Sequence, residues 1–136
     1  MSINTTESGT KLRNRLSKSI VLSIRRLMQK GEPDNESMDM AAFVVLALGK
    51  IAESVDLSAT AWEKRDYWLK ADRFRMEWAW VESCQALLEP AVLSQDWHVI
   101  ATGLVTVAQH LGKVEVSERN RLGEPWIGAW QALQRR

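Results

Sequence analysis

The sequence is poor in the residues that cross-link or interrupt a chain. It has one cysteine, Cys84, so no disulfide can form within it, and only three prolines. Its longest apolar run, residues 40–49, is too short to span a bilayer. The first ten residues lack the apolar stretch of a secretory signal. These absences favour a cytoplasmic protein without a membrane segment, folded around a single core.

The motifs of common catalytic and metal sites are also missing. The chain has no Walker loop, no glycine-rich dinucleotide motif and no His-Glu-x-x-His segment. His98 and His110 are twelve residues apart, which places them roughly 120° apart around a helix, so their rings would not converge on one metal. Cys84 suits a buried apolar position better than a nucleophile, which needs a nearby base. We therefore expect no metal, no cofactor and no enzymatic activity.

Tryptophan is what the chain has in excess. Seven tryptophans occur in 136 residues, and four of them lie between positions 62 and 80. There they alternate with charged residues, some of them in helical i,i+4 pairs such as Asp66 and Lys70. Large aromatic rings dominate cores and interfaces. This segment therefore predicts a helix that serves packing and contact.

Apolar residues recur every three to four positions along most of the chain, which predicts an all-α protein. We expect a single bundle of four to five helices, with one long central helix at about residues 61–88. Residues 10–136 would form the domain. The predicted parts are a disordered tail at 1–9, a basic amphipathic helix at 10–30, a linker at 31–37 and the body of the bundle at 38–136.

Local signals bound the predicted long helix. Thr60 and Glu63 fit a capping box at its start, and Pro90 marks its end. Its apolar residues form two seams. The first seam contains Tyr67, Ala71, Phe74, Trp78, Val81 and Leu88, and the second contains Trp62, Leu69, Met76, Trp80 and Leu87. Two seams predict contact with at least two neighbours, within a bundle or at a subunit interface.

The net charge of +1 conceals an uneven distribution. Residues 1–30 hold seven basic residues and one acidic residue, whereas the remainder is acidic. A basic arm on an acidic body either meets an anionic partner or folds back on its own body or on a sister subunit. In the first case its cations would contact the phosphates of RNA or single-stranded DNA without reading sequence. The candidate contact residues of this helix are Lys11, Arg13, Arg15, Lys18, Arg25 and Arg26.

A second group of candidates lies on a charged face of the long helix. Lys64, Arg65, Trp68 and Arg75 share this face, which differs from both seams. Trp68 could stack on a nucleobase while the cations hold phosphates. It could equally be covered by Arg65 or Arg75 through a cation–π contact, or be buried by another subunit.

Three functions are compatible with these patterns. The one we favour is a non-catalytic subunit of a larger assembly that handles nucleic acid, with other protein subunits as partners. In size, helical character and basic surface the chain resembles the small helical subunits of CRISPR effector complexes, a resemblance that implies such an assembly and assigns no residue a role. The alternatives are a homo-oligomeric structural or regulatory protein without nucleic-acid binding, and an enzyme or small-ligand binder with a site between helices.

Overall fold

The computed structural model describes residues 7–136, so the first six residues of the predicted tail lie outside it. The described part is all-α, as predicted, and contains no strand. Its helices are α1 (Gly9–Met28), α2 (Asn35–Glu63), α3 (Trp68–Glu77), α4 (Ala79–Leu93), α5 (Trp97–His110) and α6 (Ala129–Gln134). Only Trp78 separates α3 from α4, so these two form one long helix that is interrupted at a single residue.

The first helix begins at a side-chain cap. Ser8 is the N-cap residue, and its hydroxyl accepts a hydrogen bond of 3.1 Å from the Lys11 backbone N–H. The helix therefore starts within the predicted tail, one residue before the predicted position. It ends at Met28, two residues before the predicted end.

The second helix is the centre of the bundle. Its N-cap is Asp34, which exchanges hydrogen bonds with Ser37 in a capping box. The pKa of the Asp34 carboxyl is lowered to about 2, mainly by the hydrogen bond from the Ser37 backbone N–H and next by the hydrogen bond from Lys30. From there α2 continues for 29 residues and contacts α1, α3, α4 and α6. An apolar sequence on every side of a helix predicts such a position, because each side must be covered.

The core lies between α2 and the helices around it. Ile20 of α1, Leu48 and Ile51 of α2, Leu88 of α4 and Ile100 of α5 are fully buried there. A smaller cluster of Leu22, Met40 and Trp126 joins α1, the start of α2 and the segment before α6.

Two polar contacts hold the carboxyl-terminal segment against the start of α2. The Trp126 indole N–H donates to Glu36 at 3.4 Å, and the Trp130 backbone N–H donates to Asp39 at 2.9 Å. The last helix therefore returns to the beginning of the bundle's central helix.

The segment predicted as one long helix at about 61–88 differs from the structure at its start. Asp66 adopts a left-handed conformation with φ of 66°, the Tyr67 N–H bonds the Trp62 carbonyl, and the Asp66 N–H bonds the Glu63 carbonyl. This is the Schellman motif that ends a helix. Residues 61–63 therefore belong to the end of α2. Thr60 and Glu63 do not cap a helix start.

The other end of the predicted helix also lies elsewhere. The α4 helix continues through Pro90 to Leu93 and ends where Gln95 takes a positive φ of 57°. Proline there removes one backbone donor close to the helix end, on the exposed side, where water can satisfy the carbonyl that loses its partner. The next helix is capped by Asp96, whose side chain accepts a hydrogen bond of 3.3 Å from the Val99 backbone N–H.

No helix among residues 7–136 combines the length and apolar character needed to cross a membrane.

The short connection between α4 and α5 makes these helices antiparallel, and a glycine lets them approach closely. A Cβ added at Gly103 would lie 2.5 Å from Leu88 Cδ2 and 2.9 Å from its Cγ. Leu88 is fully buried among core residues, so its side chain has no free space to move into.

We predict that Gly103→Ala lowers the free energy of unfolding by about 1–3 kcal/mol, because overpacking forces the two helices apart. The matched control is Gly31→Ala, at a position where a Cβ would meet nothing within 4 Å. That variant should change stability by no more than about 0.5 kcal/mol. Chemical denaturation of both variants measures the difference. Equal stability of the two would contradict this account of the α4–α5 contact.

Candidate functional site

The two predicted seams have different environments. Most of the first is covered by the bundle, since Ala71, Val81 and Leu88 are fully buried and Cys84 lies beside them. Tyr67 at the start of this seam is exposed. Burial raises the pKa of the Cys84 thiol, so it remains protonated and serves as a small packing residue. This agrees with the role that its sequence position predicts.

Much of the second seam remains uncovered. Leu69, Met76 and Leu87 are 63%, 77% and 47% exposed, and the neighbouring Trp68 is 58% exposed. We call these four residues the open face of α3 and α4. The other two members of this seam are partly covered. Trp62 lies beneath Lys70, whose Nζ is 4.4 Å from the ring centroid, and Trp80 packs on His110.

The cations predicted to flank Trp68 are directed elsewhere. The Arg65 guanidinium lies 5.2 Å from the ring centroid of Tyr67. Arg75 forms ion pairs with Asp56 and Glu63, and a hydrogen bond of 3.3 Å with Thr60. The hydrogen bond to Asp56 is the main reason that the pKa of Arg75 is raised.

Arg75 therefore fastens α3 to α2, which corrects its predicted role as a contact residue. Of the cations on this predicted face, Lys64 and Arg65 stay exposed. Neither of them covers Trp68. Among the described residues no cation lies over its ring, so the cation–π contact considered from the sequence does not form.

Arg13 is a second correction, because it is buried and not on the surface. Its side chain is 7% exposed, and Nη1 donates to Ser54 Oγ at 2.6 Å and to Ser58 Oγ at 3.3 Å. The guanidinium carbon lies 4.8 Å from the ring centroid of Phe74. Burial lowers the pKa of Arg13, and the charge of Glu77 partly opposes this. Arg13 therefore joins α1 to α2 and α3.

The other basic residues of α1 divide into bound and exposed groups. Arg15 donates to both carboxylate oxygens of Glu7, at 2.9 and 3.0 Å. This bidentate pair neutralises its charge locally. Arg25 is half-buried and donates to the Val116 carbonyl at 3.1 Å. Lys11, Lys18 and Arg26 are exposed.

Two adjoining grooves run along α1, opposite the segment that follows α5. The first has a volume of about 680 Å³ and lies between α1, the α3–α4 junction and the end of α5. The second has a volume of about 790 Å³ and lies between α1 and residues 114–122. Lys18, Val114 and Glu115 border both. Of the predicted contact residues, the structure brings Lys18 and Arg25 together here.

Aromatic rings line one wall of the first groove. Trp80 stacks on His110 with 4.5 Å between ring centroids and 4° between planes, and Trp78 lies 6.3 Å beyond Trp80. The Trp78 indole N–H is buried and has no hydrogen-bond partner within residues 7–136. Packing alone therefore holds that indole in the wall.

The sequence did not predict this stack, because its members are thirty residues apart and on different helices. Only the antiparallel packing of α4 and α5 brings Trp80 to His110. Lys113 and Arg121, which border the grooves, were missed for the same reason. Helical spacing detects neighbours on one helix but not pairs across two helices.

Metal ligands do not converge in the described part of the chain. No group of three or more His, Cys, Asp or Glu side chains in residues 7–136 is placed to hold an ion. Neither groove is lined by His98 or Cys84. The grooves instead offer aromatic, cationic and carboxylate side chains.

Comparison with protein-family models, with curated proteins and with solved structures found no match to this chain.

We predict that Arg13→Ala lowers the free energy of unfolding by about 2–3 kcal/mol, because charge-assisted hydrogen bonds to buried serines are lost. Lys11→Ala removes one exposed cation from the same helix and should change stability by less than about 0.5 kcal/mol. Thermal or chemical unfolding of both variants measures this. If Arg13→Ala left stability unchanged, the assignment of Arg13 to the helix junction would be wrong.

Proposed function

We propose that this protein is a non-catalytic helical subunit of a larger assembly, and that it docks on a protein partner through the open face of α3 and α4. The observation that carries the proposal is the exposure of Trp68, Leu69 and Met76 on one ten-residue helix. Apolar patches of this kind mark sites of protein interaction, whereas single exposed apolar residues are ordinary.

The composition of α4 supports the same conclusion. Beyond Met76, the exposed side of α3 continues on α4 through Ala79, Ser83, Ala86 and Leu87. Glu82 is the one exposed charged residue of α4. Interfaces have few charged residues at their centre and are rich in Trp and Met. Such a face suits a neutral, apolar partner surface better than it suits water.

The arrangement of α3 explains why this face needs a partner outside the bundle. Ala71 is the only buried residue of α3, so the helix contributes little to the core. Arg75 holds it against α2 through ion pairs and a hydrogen bond. The helix is thus attached by these polar contacts and by Phe74, whose ring packs on Trp62 of α2. It presents Trp68, Leu69 and Met76 outwards.

The proposed assembly handles nucleic acid. The exposed cations Lys11, Lys18 and Arg26 on α1 support this part, since clustered basic residues neutralise phosphates. Arg13, Arg15 and Arg75 do not, because each is engaged within the chain. An assembly of the type to which small helical CRISPR subunits belong would use both surfaces. The lone, buried Cys84 suits a reducing compartment, and we place the assembly in the cytoplasm.

The homo-oligomeric alternative uses the same open face, with a second copy of the chain as its occupant. It differs from the favoured function in having no nucleic acid. The enzyme alternative has less support, because the buried thiol of Cys84 and the exposed imidazole of His98 line neither of the two grooves along α1.

We predict that Leu69→Glu with Met76→Glu abolishes partner binding without unfolding the protein. Both side chains are exposed, so each substitution should lower the free energy of unfolding by less than about 0.5 kcal/mol. A charge at the centre of an interface is poorly tolerated, so partner binding should be lost. The tagged protein is purified from its native cells, and the protein and nucleic-acid contents of the eluate are measured. The wild type should elute with a partner subunit and nucleic acid.

The matched control is Val105→Glu with Ile127→Glu, which places the same charges on exposed apolar residues outside α3 and α4. This variant should retain the partner. A wild type that elutes as a monomer free of nucleic acid would contradict the proposal. A wild type that elutes as a nucleic-acid-free oligomer of itself would establish the alternative function.

A further inference from the structure

The two grooves along α1 adjoin each other, and we call them together the channel. They share Lys18, Val114 and Glu115 along their borders, so a ligand could extend from one into the other. Each is within the size range of small-ligand sites. Two joined depressions of this size fit a ligand longer than a single compact molecule.

The first groove offers a stacking surface. The Trp80 and His110 rings are parallel within 4°, and His110 is exposed at the end of the stack. Trp80 supports it from behind, and Trp78 continues the row. A flat heteroaromatic ring can extend such a stack, because aromatic side chains offer π-faces to any nucleobase regardless of its sequence.

Cations border both grooves. Lys18 and Lys113 lie at the first, and Arg25 and Arg121 at the second. Glu77 and Glu115 are the two carboxylates in the lining, so the channel has an excess of positive charge. Lys18, Lys113 and Arg121 form no ion pair with any carboxylate of residues 7–136.

The fourth cation retains donors for a ligand. Arg25 uses one nitrogen, Nη1, for the Val116 carbonyl. A guanidinium has five N–H donors, so the remaining ones are available to an anion in the second groove.

From this placement we propose that the channel binds single-stranded nucleic acid, with one base stacked on His110 and the backbone following Lys18, Lys113, Arg25 and Arg121. The inference rests on the nucleic-acid part of the proposed function and assigns that contact a site. A stacked base needs a free face, which a duplex does not offer within its base pairs. A mononucleotide has one phosphate group and cannot engage both grooves.

The test measures binding of short labelled oligothymidylate and oligouridylate by fluorescence anisotropy across a salt series. His110→Ala removes an exposed ring and should weaken binding roughly tenfold, the effect expected of one lost stacking contact. His110→Phe keeps a planar ring and should bind nearly as the wild type does. Lys18→Ala with Lys113→Ala should weaken binding and reduce the salt slope by about 2, one for each cation.

The matched control is Lys64→Ala with Arg65→Ala, which removes two exposed cations that do not border the channel. It should leave both the affinity and the salt slope unchanged. If this control pair caused the loss and the channel pair did not, the site would be wrong while nucleic-acid binding itself would stand. Equal affinity for a duplex of the same length, or for thymidine monophosphate, would also overturn the inference.

Partner binding separates this inference from the proposed function. His110→Ala should still co-purify with the partner that the open face binds, and Leu69→Glu with Met76→Glu should still bind the oligonucleotides. A wild type that binds its partner but no single strand would overturn the channel assignment alone. Loss of the partner in His110→Ala would show that the channel belongs to the protein interface, and the inference would fall.

Discussion

The fold depends on covering α2 from every side. This helix has no polar face in its middle, so its burial requires neighbours all around it. The helices α1, α4 and α6 supply most of the apolar cover, and α3 lies along the remaining side near the end of α2. Because Ala71 is the only fully buried residue of α3, and Phe74 is only partly covered, Trp68, Leu69 and Met76 are left outside. The open face is thus a consequence of how the central helix is enclosed.

Helical periodicity predicted the fold class and several elements closely. The bounds of α1 were predicted to within two residues, because its apolar spacing and the Ser8 cap at its start act locally. The break at Asp66 could not be found in this way. Thr60 and Glu63 have the spacing of a capping box, yet their side chains bind Arg75, a residue that the fold brings from the following helix. Two residues with the spacing of a capping box therefore form a tertiary contact and do not cap a helix.

Of the residues in the candidate site, the sequence predicted only those whose exposure follows from their spacing along one helix. Lys18 is such a residue. The long side chain of Arg13 turns inwards to Ser54, and that of Arg75 reaches Asp56 on the surface of α2. Nothing in their own surroundings along the chain indicates these partners. The stack of Trp80 on His110 depends on the register of two antiparallel helices, which Gly103 and Leu88 set by close packing. Register between helices is a property of packing and not of pattern.

The return of Trp126 to Leu22 and Met40 has a consequence for synthesis. During translation α1 and α2 leave the ribosome long before residues 126–133 do, so the first half of α2 lacks part of its cover for that interval. A nascent chain with such apolar surface is prone to aggregate and is a substrate for chaperones. The indole that completes the smaller cluster follows Met40 by 86 residues along the chain, so this part of α2 is covered later than the parts that α1 encloses.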